Sequence, residues 1–411
     1  MLDALLLAAN LSLPQAIDAA LQNNPEYRSA AMSVRIAEDR VRVVRSSLAL
    51  SATVEDRLQT QSPVAMLSTP FGPLPFSPNT TNVPIIVAQY SLLDGPAAER
   101  VAQANANLAA AVAGEHEARG VVIAQVSRRY YDAVAAQQSE NVARYAQDVA
   151  RQHEADAQKR YFIGLVPRAE VLQAQTDLAE RQVDEIDARN AVEIAVSSLD
   201  AAMNVPLSST YTLEQAFETP DPPMGLTALI ASADATRGEI AAAQQAIDAA
   251  RYSLRAAHAS SLPIVQVSVS EGNVQPAVMS GFHAQFTAAL SAVWHILDGG
   301  QTAAEADSAQ ASLEQAQLTL DTLKTSTELA VRQAYVNVLA ARQRALATQR
   351  AVALADENRR LAEVRYRGGV GTSLELRDAD LRDFNARRQV VAAQASLARS
   401  TVDLRFAAGL L

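Results

Sequence analysis

Leu92-Leu93-Asp94-Gly95 and Ile296-Leu297-Asp298-Gly299 open two passages built to one plan. The first continues through Tyr131, in a long Ala-rich run, to Tyr161-Phe162-Ile163-Gly164-Leu165-Val166. The second continues through Tyr335 to Tyr366-Arg367-Gly368-Gly369-Val370-Gly371. Asp298 follows Asp94 by 204 positions, Tyr335 follows Tyr131 by 204, and Tyr366 follows Tyr161 by 205. A repeat this long marks a duplicated half-domain rather than a short-period solenoid. Each physical feature must therefore be accounted for twice.

Between a first helical stretch and each Leu-Asp-Gly exit, the periodicity changes. Val265, Val267 and Val269 share one face of Pro263 to Ser270, with Gln266, Ser268 and Ser270 on the other. Phe282 to Ile296 alternates likewise, with Phe286, Leu290 and Trp294 opposite His283, Gln285, Thr287, Ser291 and His295. Leu50 to Leu58 repeats the pattern, and Val83 to Leu92 does so less cleanly around Pro84. Period two predicts strands. Each half thus supplies two strands of about ten residues, the length that crosses a bilayer when tilted. One apolar and one polar face fit a barrel wall with lipid outside and water inside. The alternative is a four-stranded soluble sheet with one solvated face.

After each Asp-Gly comes a helical run of roughly 65 residues, about 100 Å at 1.5 Å per residue. In the second run Leu313, Ala316, Leu320, Leu323, Thr327, Ala330 and Ala334 step by three and four, a heptad-type seam. In the first, Val126, Tyr130 and Val134 step by four, and Val142, Tyr145 and Val149 by three and four. Hydrophobic residues make up 49 % but aromatics only 5 %, so much of the apolar content is Ala, which suits long, closely packed helices. Each run ends at a Gly-containing turn and re-enters a helix. Asn204 to Gly225, with Pro206, Pro220, Pro222 and Pro223, reads as a linker between the halves.

The net charge of -10 argues against nucleic acid, whose phosphates require a basic surface. Without cysteine there is no disulfide, thiolate metal site or lipidated N-terminal Cys. No apolar run reaches the length of a transmembrane helix. Met1 to Ala9 are apolar but lack the positive flank of a complete signal peptide. His153-Glu154-Ala155-Asp156 lacks the second His of a zinc-protease helix. P-loop, nucleophile-elbow and dinucleotide fingerprints are absent too. The chain is therefore expected not to be an enzyme and to need no cofactor or metal.

Four membrane-length strands cannot close a barrel, and an open edge in lipid leaves backbone groups unpaired at several kcal/mol each. Closure requires other copies: two give eight strands, which fill their own interior, and three give twelve, with room for a water-filled lumen, though closure alone does not choose three over more.

The opening Leu11-Ser12-Leu13-Pro14-Gln15-Ala16 with Asn23-Asn24-Pro25-Glu26, the two Leu-Asp-Gly exits and the two Gly turns resemble the TolC-type outer-membrane factor family, in order and across nearly the whole chain. The resemblance implies an α+β membrane protein built from two internal repeats: a trimeric outer-membrane β-barrel, four strands per protomer, on a long periplasmic α-helical barrel. The implied division is an N-terminal segment (1–24), a periplasmic helical barrel (25–46, 96–203, 238–261 and 298–408), barrel strands with extracellular loops (47–95 and 262–297) and an equatorial linker (204–237). The function implied is the outer-membrane channel of a tripartite efflux pump or type I secretion system. The implied partners are two further copies, outer-membrane lipid, a periplasmic adaptor (membrane fusion) protein and an inner-membrane RND or ABC transporter. The rival from another class is a soluble coiled-coil scaffold.

The resemblance also assigns residues. Gly164, Leu165, Val166, Gly369, Val370, Gly371 and Thr372 match the tips that dock the adaptor, although glycines there also serve any helix-to-helix turn. Glu375 and Asp378 match the acids that ring the tunnel mouth, although acids also suit a helix N-terminus. Glu170 matches a residue linked to the second turn's tyrosine, here Tyr366. Where the family places a gate arginine this chain has Gly371, with Arg367 nearby.

Overall fold

A computed structural model describes residues 10–60, 62–63, 66–75, 80–207, 211–214, 217, 224–274 and 283–411. Met1 to Ala9, Pro220, Pro222, Pro223 and the whole stretch 275–282 with Phe282 lie outside the described residues.

The first half runs β1 (Asn10–Leu11), α1 (Leu13–Asn23), α2 (Pro25–Ser46), β2 (Ser51–Thr60), β3 (Met66–Thr69), β4 (Gly72–Pro75), β5 (Thr80–Leu93), α3 (Gly95–Phe162) and α4 (Arg168–Met203). The second runs β6 (Thr212–Leu213), α5 (Leu226–Thr236), α6 (Gly238–Ala259), β7 (Ile264–Val274), β8 (His283–Val293), α7 (Gln301–Arg367) and α8 (Ser373–Ala407). The duplication is visible element by element. Leu226 follows Leu13, Gly238 follows Pro25 and Ile264 follows Ser51, each by 213 positions. Asp298 follows Asp94 by 204, so the second half has nine fewer residues from its first strand to its Leu-Asp-Gly exit. The longer first loop carries the β3–β4 hairpin.

Two differences from the sequence reading have clear causes. The stretch 204–237 contains α5, whose Leu226, Leu229, Ile230 and Ala233 recur at helical spacing beside the prolines. β8 stops at Val293, three residues short of Ile296, as Trp294 Nε1 turns to donate to the Ser261 carbonyl at 2.9 Å.

The chain divides into two compact units. One comprises residues 33–112 and 242–321. It holds an antiparallel sheet in the order β2-β5-β7-β8. The register aligns Val265, Val267 and Val269 with Ala292, Leu290 and Ala288, and Val54 with Ile86, so one face is mostly apolar, broken by Asp56 and Glu271. That face is not covered: Val54, Leu58, Phe286 and Leu290 are each more than two thirds exposed. Among the described residues β2 and β8 pair on one side only. The Leu-Asp-Gly exits are helix starts. Asp94 Oδ1 accepts from the Ala97 amide at 3.1 Å, and Asp298 accepts from the Gly300 and Thr302 amides at 3.0 and 2.8 Å.

The other unit comprises residues up to 32, 113–241 and 322–411. Its cores mirror the repeat. Ala16 and Ala20 of α1 pack with Val122, Val126, Tyr130 and Val134 of α3 and Leu199 and Met203 of α4. Leu229 and Ala233 of α5 pack with Val331, Ala334 and Val338 of α7 and Leu404 of α8. Tyr130 donates its hydroxyl to the carbonyls of Leu11 (3.0 Å) and Glu214 (3.1 Å), tying down the parallel β1–β6 pair. Gly238 lets α6 and α3 approach closely, because a Cβ there would lie 2.4 Å from the Ala113 carbonyl oxygen. Along α7 Thr327 and Ala334 of the predicted seam are buried, while Leu313, Ala316, Leu320, Leu323 and Ala330 are half-buried.

Candidate functional site

The two Gly turns close α3 and α7 in the same way. After α3 the Leu165 amide donates to the Arg160 carbonyl at 2.9 Å; after α7 the Val370 amide donates to Arg365 at 3.0 Å. Each bond spans five residues and requires a left-handed residue between, filled by Gly164 (φ 77°) and Gly369 (φ 76°). Leu165 and Val370 are exposed at 70 % and 74 %, as are Phe162 and Ile163 beside them. Val166 and Gly371 are half-buried. A Cβ on Gly371 would press within 3.1 Å of Arg365 and Tyr366. Thr372 caps α8, its Oγ1 accepting from the Glu375 amide at 3.2 Å.

The Tyr366 hydroxyl donates to Glu170 Oε1 at 2.7 Å, joining the end of α7 to the start of α4. Burial, then this bond to a carboxylate, push the phenol up to about 12. Arg160 supplies the cation, its guanidinium 4.4 Å from the Tyr366 ring centroid. Arg367 is turned away and pairs with Glu363 at 2.5 Å. Glu375 lies 3.7 Å from Arg365, and Asp378 pairs with Arg382 at 2.8 Å; both acids are about half exposed.

Three features escape the sequence reading. Arg160 precedes the recognised turn by one residue. His153 Nε2 donates to Asp380 at 2.9 Å, joining α3 to α8 across 227 positions. The fully buried Asp383 accepts from Arg387 at 2.8 Å, and Arg387 also reaches Asp356 at 2.7 Å. Only the i to i+4 spacing of Asp383 and Arg387 signals any of this in advance.

Duplicated strand pairs with an exposed apolar face, and paired long helices ending in matched Gly tips, define an outer-membrane export channel. A family model described as outer membrane efflux protein matches residues 16–205 and 229–410, and the chain belongs to that family. It is an outer-membrane protein with a periplasmic extension. Protein CyaE of Bordetella pertussis is 27 % identical over 420 residues, spanning 98 % of this chain and 85 % of that protein. Alkaline protease secretion protein AprF of Pseudomonas aeruginosa is 24 % identical over 310 residues, spanning 71 % of this chain and 62 % of that protein. The solved structure of the outer membrane protein VceC from Vibrio cholerae matches with a TM-score of 0.80 at 21 % identity, over 97 % of this chain and 96 % of that one.

Proposed function

We propose that three copies assemble into a passive export duct, a twelve-stranded barrel in the outer membrane continued by a periplasmic helical tunnel. The observation that carries this reading is the sheet itself. Among the described residues its two edge strands, β2 and β8, lack outer partners, and its apolar face is uncovered. In lipid an open edge is untenable, so each β2 is completed by the β8 of a neighbouring copy. Residues 47–95 and 262–297 form the barrel. The helical segments 25–46, 96–203, 238–261 and 298–408 form the tunnel wall, with 204–237 around its equator.

The tips, Gly164 to Val166 and Gly369 to Thr372, receive the hairpin of a periplasmic adaptor, offering exposed Leu165 and Val370 as contacts. The Tyr366–Glu170 bond holds the mouth shut, and adaptor engagement parts it. Energy comes from an inner-membrane transporter of the RND or ABC type. The likeness to AprF, an alkaline protease secretion protein, favours protein cargo. The scaffold alternative leaves the apolar sheet face without a role.

Glu375 and Asp378, repeated in three copies, concentrate negative potential at the mouth and bind multivalent cations. Replacing both with Ala is expected to raise single-channel conductance in planar bilayers and weaken block by divalent cations. Unchanged conductance and block would remove the gate assignment.

A further inference from the structure

Helices α4 and α7 each carry a second seam that no described residue covers. On α4, Leu172, Ala179, Val183, Ile186, Asn190 and Ile194 follow one another at steps of seven, four, three, four and four, which keeps them on one face. Leu172, Val183, Ile186 and Ile194 are each more than half exposed. On α7, Leu339, Gln343, Leu346, Arg350, Leu354 and Leu361 form a matching exposed line. The seam that α7 uses inside the chain, with Val331, Ala334, Val338 and Ala341 buried, runs along its opposite side. In contrast, α3 between Val122 and Arg160 and α8 between Arg382 and Ala407 expose no large apolar side chain. A helix with apolar seams on two opposite sides is built to touch a neighbour on each.

We infer that the α4 seam of one copy packs antiparallel on the α7 seam of the next. This rests on the trimer proposed above and names the faces that join its tunnel wall. The two seams are equal in length, Leu172 to Ile194 and Leu339 to Leu361 each spanning 22 positions. Laid antiparallel, they set Leu172 against Leu361, Ala179 against Leu354, Ile186 against Leu346 and Ile194 against Leu339. Asn190 meets Gln343, a polar layer of the kind that fixes register. Val183 meets the hydrocarbon stem of Arg350, whose charged head reaches the level of Glu180 and Asp187. None of these three exposed charges is paired within the chain among the described residues.

Heights agree with this register. Copies related by rotation about one axis keep their levels. Within a chain the Tyr366–Glu170 bond levels α7 with α4. Leu172 lies two residues beyond Glu170 and Leu361 five before Tyr366, a mismatch of about 4.5 Å at 1.5 Å per residue. A slip of one heptad toward the tip would place Leu172 opposite Gly368, past the end of α7, and Asn190 opposite Arg350.

The test uses the full chain in intact outer membranes, where no natural cysteine interferes. Ile194→Cys with Leu339→Cys, and Leu172→Cys with Leu361→Cys, should oxidise to ladders of up to three chains. Ile194→Cys with Leu346→Cys, about 10 Å out of register, should yield at least tenfold less. All these positions are exposed, and cysteines on β2 and β8 report in parallel whether the barrel has formed. Matched pairs that stay single while β2 and β8 link would overturn the seam and spare the trimer. Failure of both would overturn the two together. Stronger linking of Ile194→Cys with Leu346→Cys, or adducts to a different protein in place of the ladder, would also contradict the assignment.

Discussion

Tyr366 is where the chemistry of the proposed mouth condenses onto one side chain. Its phenol donates to Glu170 and its ring carries Arg160, so removing the hydroxyl cuts one bond and leaves the stacking. Tyr366→Phe should cost about 1 kcal/mol of stability and raise the frequency of spontaneous channel opening in planar bilayers. The bonded form is the neutral phenol. Below the ordinary tyrosine value of about 10 it is neutral in folded and unfolded chains alike, and its contribution is complete. As the pH climbs from there through about 12, the unfolded chain ionises first and the contribution is lost. Ultraviolet titration should show one phenolate appearing near pH 12 in the wild type and missing from Tyr366→Phe. The partner of Tyr366 was legible through family resemblance, whereas Arg160 was not. A cation over a ring needs no fixed spacing in sequence, so nothing in the one-dimensional pattern announces it.

Helices and strands were the most legible part of the chain, because their periods of 3.6 and 2 are written into the positions of Val, Leu and Ala. The limits were local. Helix α5 hid beside prolines that suggested a linker, and β3–β4 is too short to show a period. The His153–Asp380 and Arg387–Asp356 contacts depend on how α3, α7 and α8 lie together, which no single helix encodes. Two element-level variants check the packing. Gly238→Ala drives a Cβ against the Ala113 carbonyl and the Glu117 backbone, and should cost about 1–3 kcal/mol in a denaturant melt. Asp298, the cap of α7, is held down to about 2 by the Thr302 side chain and the Thr302 and Gly300 amides. Above the unfolded value of 3.8 its carboxylate is charged in both states and its contribution is complete; it is lost as the pH falls through about 2. Asp298→Asn keeps an acceptor oxygen but cannot titrate. Its unfolding midpoint should therefore fall less than that of the wild type over the same acid range.

For the molecule as a whole, the proposed trimer follows from a deficit within each chain: a sheet with two edges and an apolar face that no described residue covers. The natural absence of cysteine makes this directly accessible. Pairs of cysteines, one scanned along β2 and one along β8, can be oxidised in intact outer membranes and resolved by denaturing electrophoresis. The account predicts disulfides between chains at matching registers, with a ladder of one, two and three chains and nothing higher. Edge cysteines that never join different chains, from a protein that stays in solution as a monomer without detergent, would contradict it.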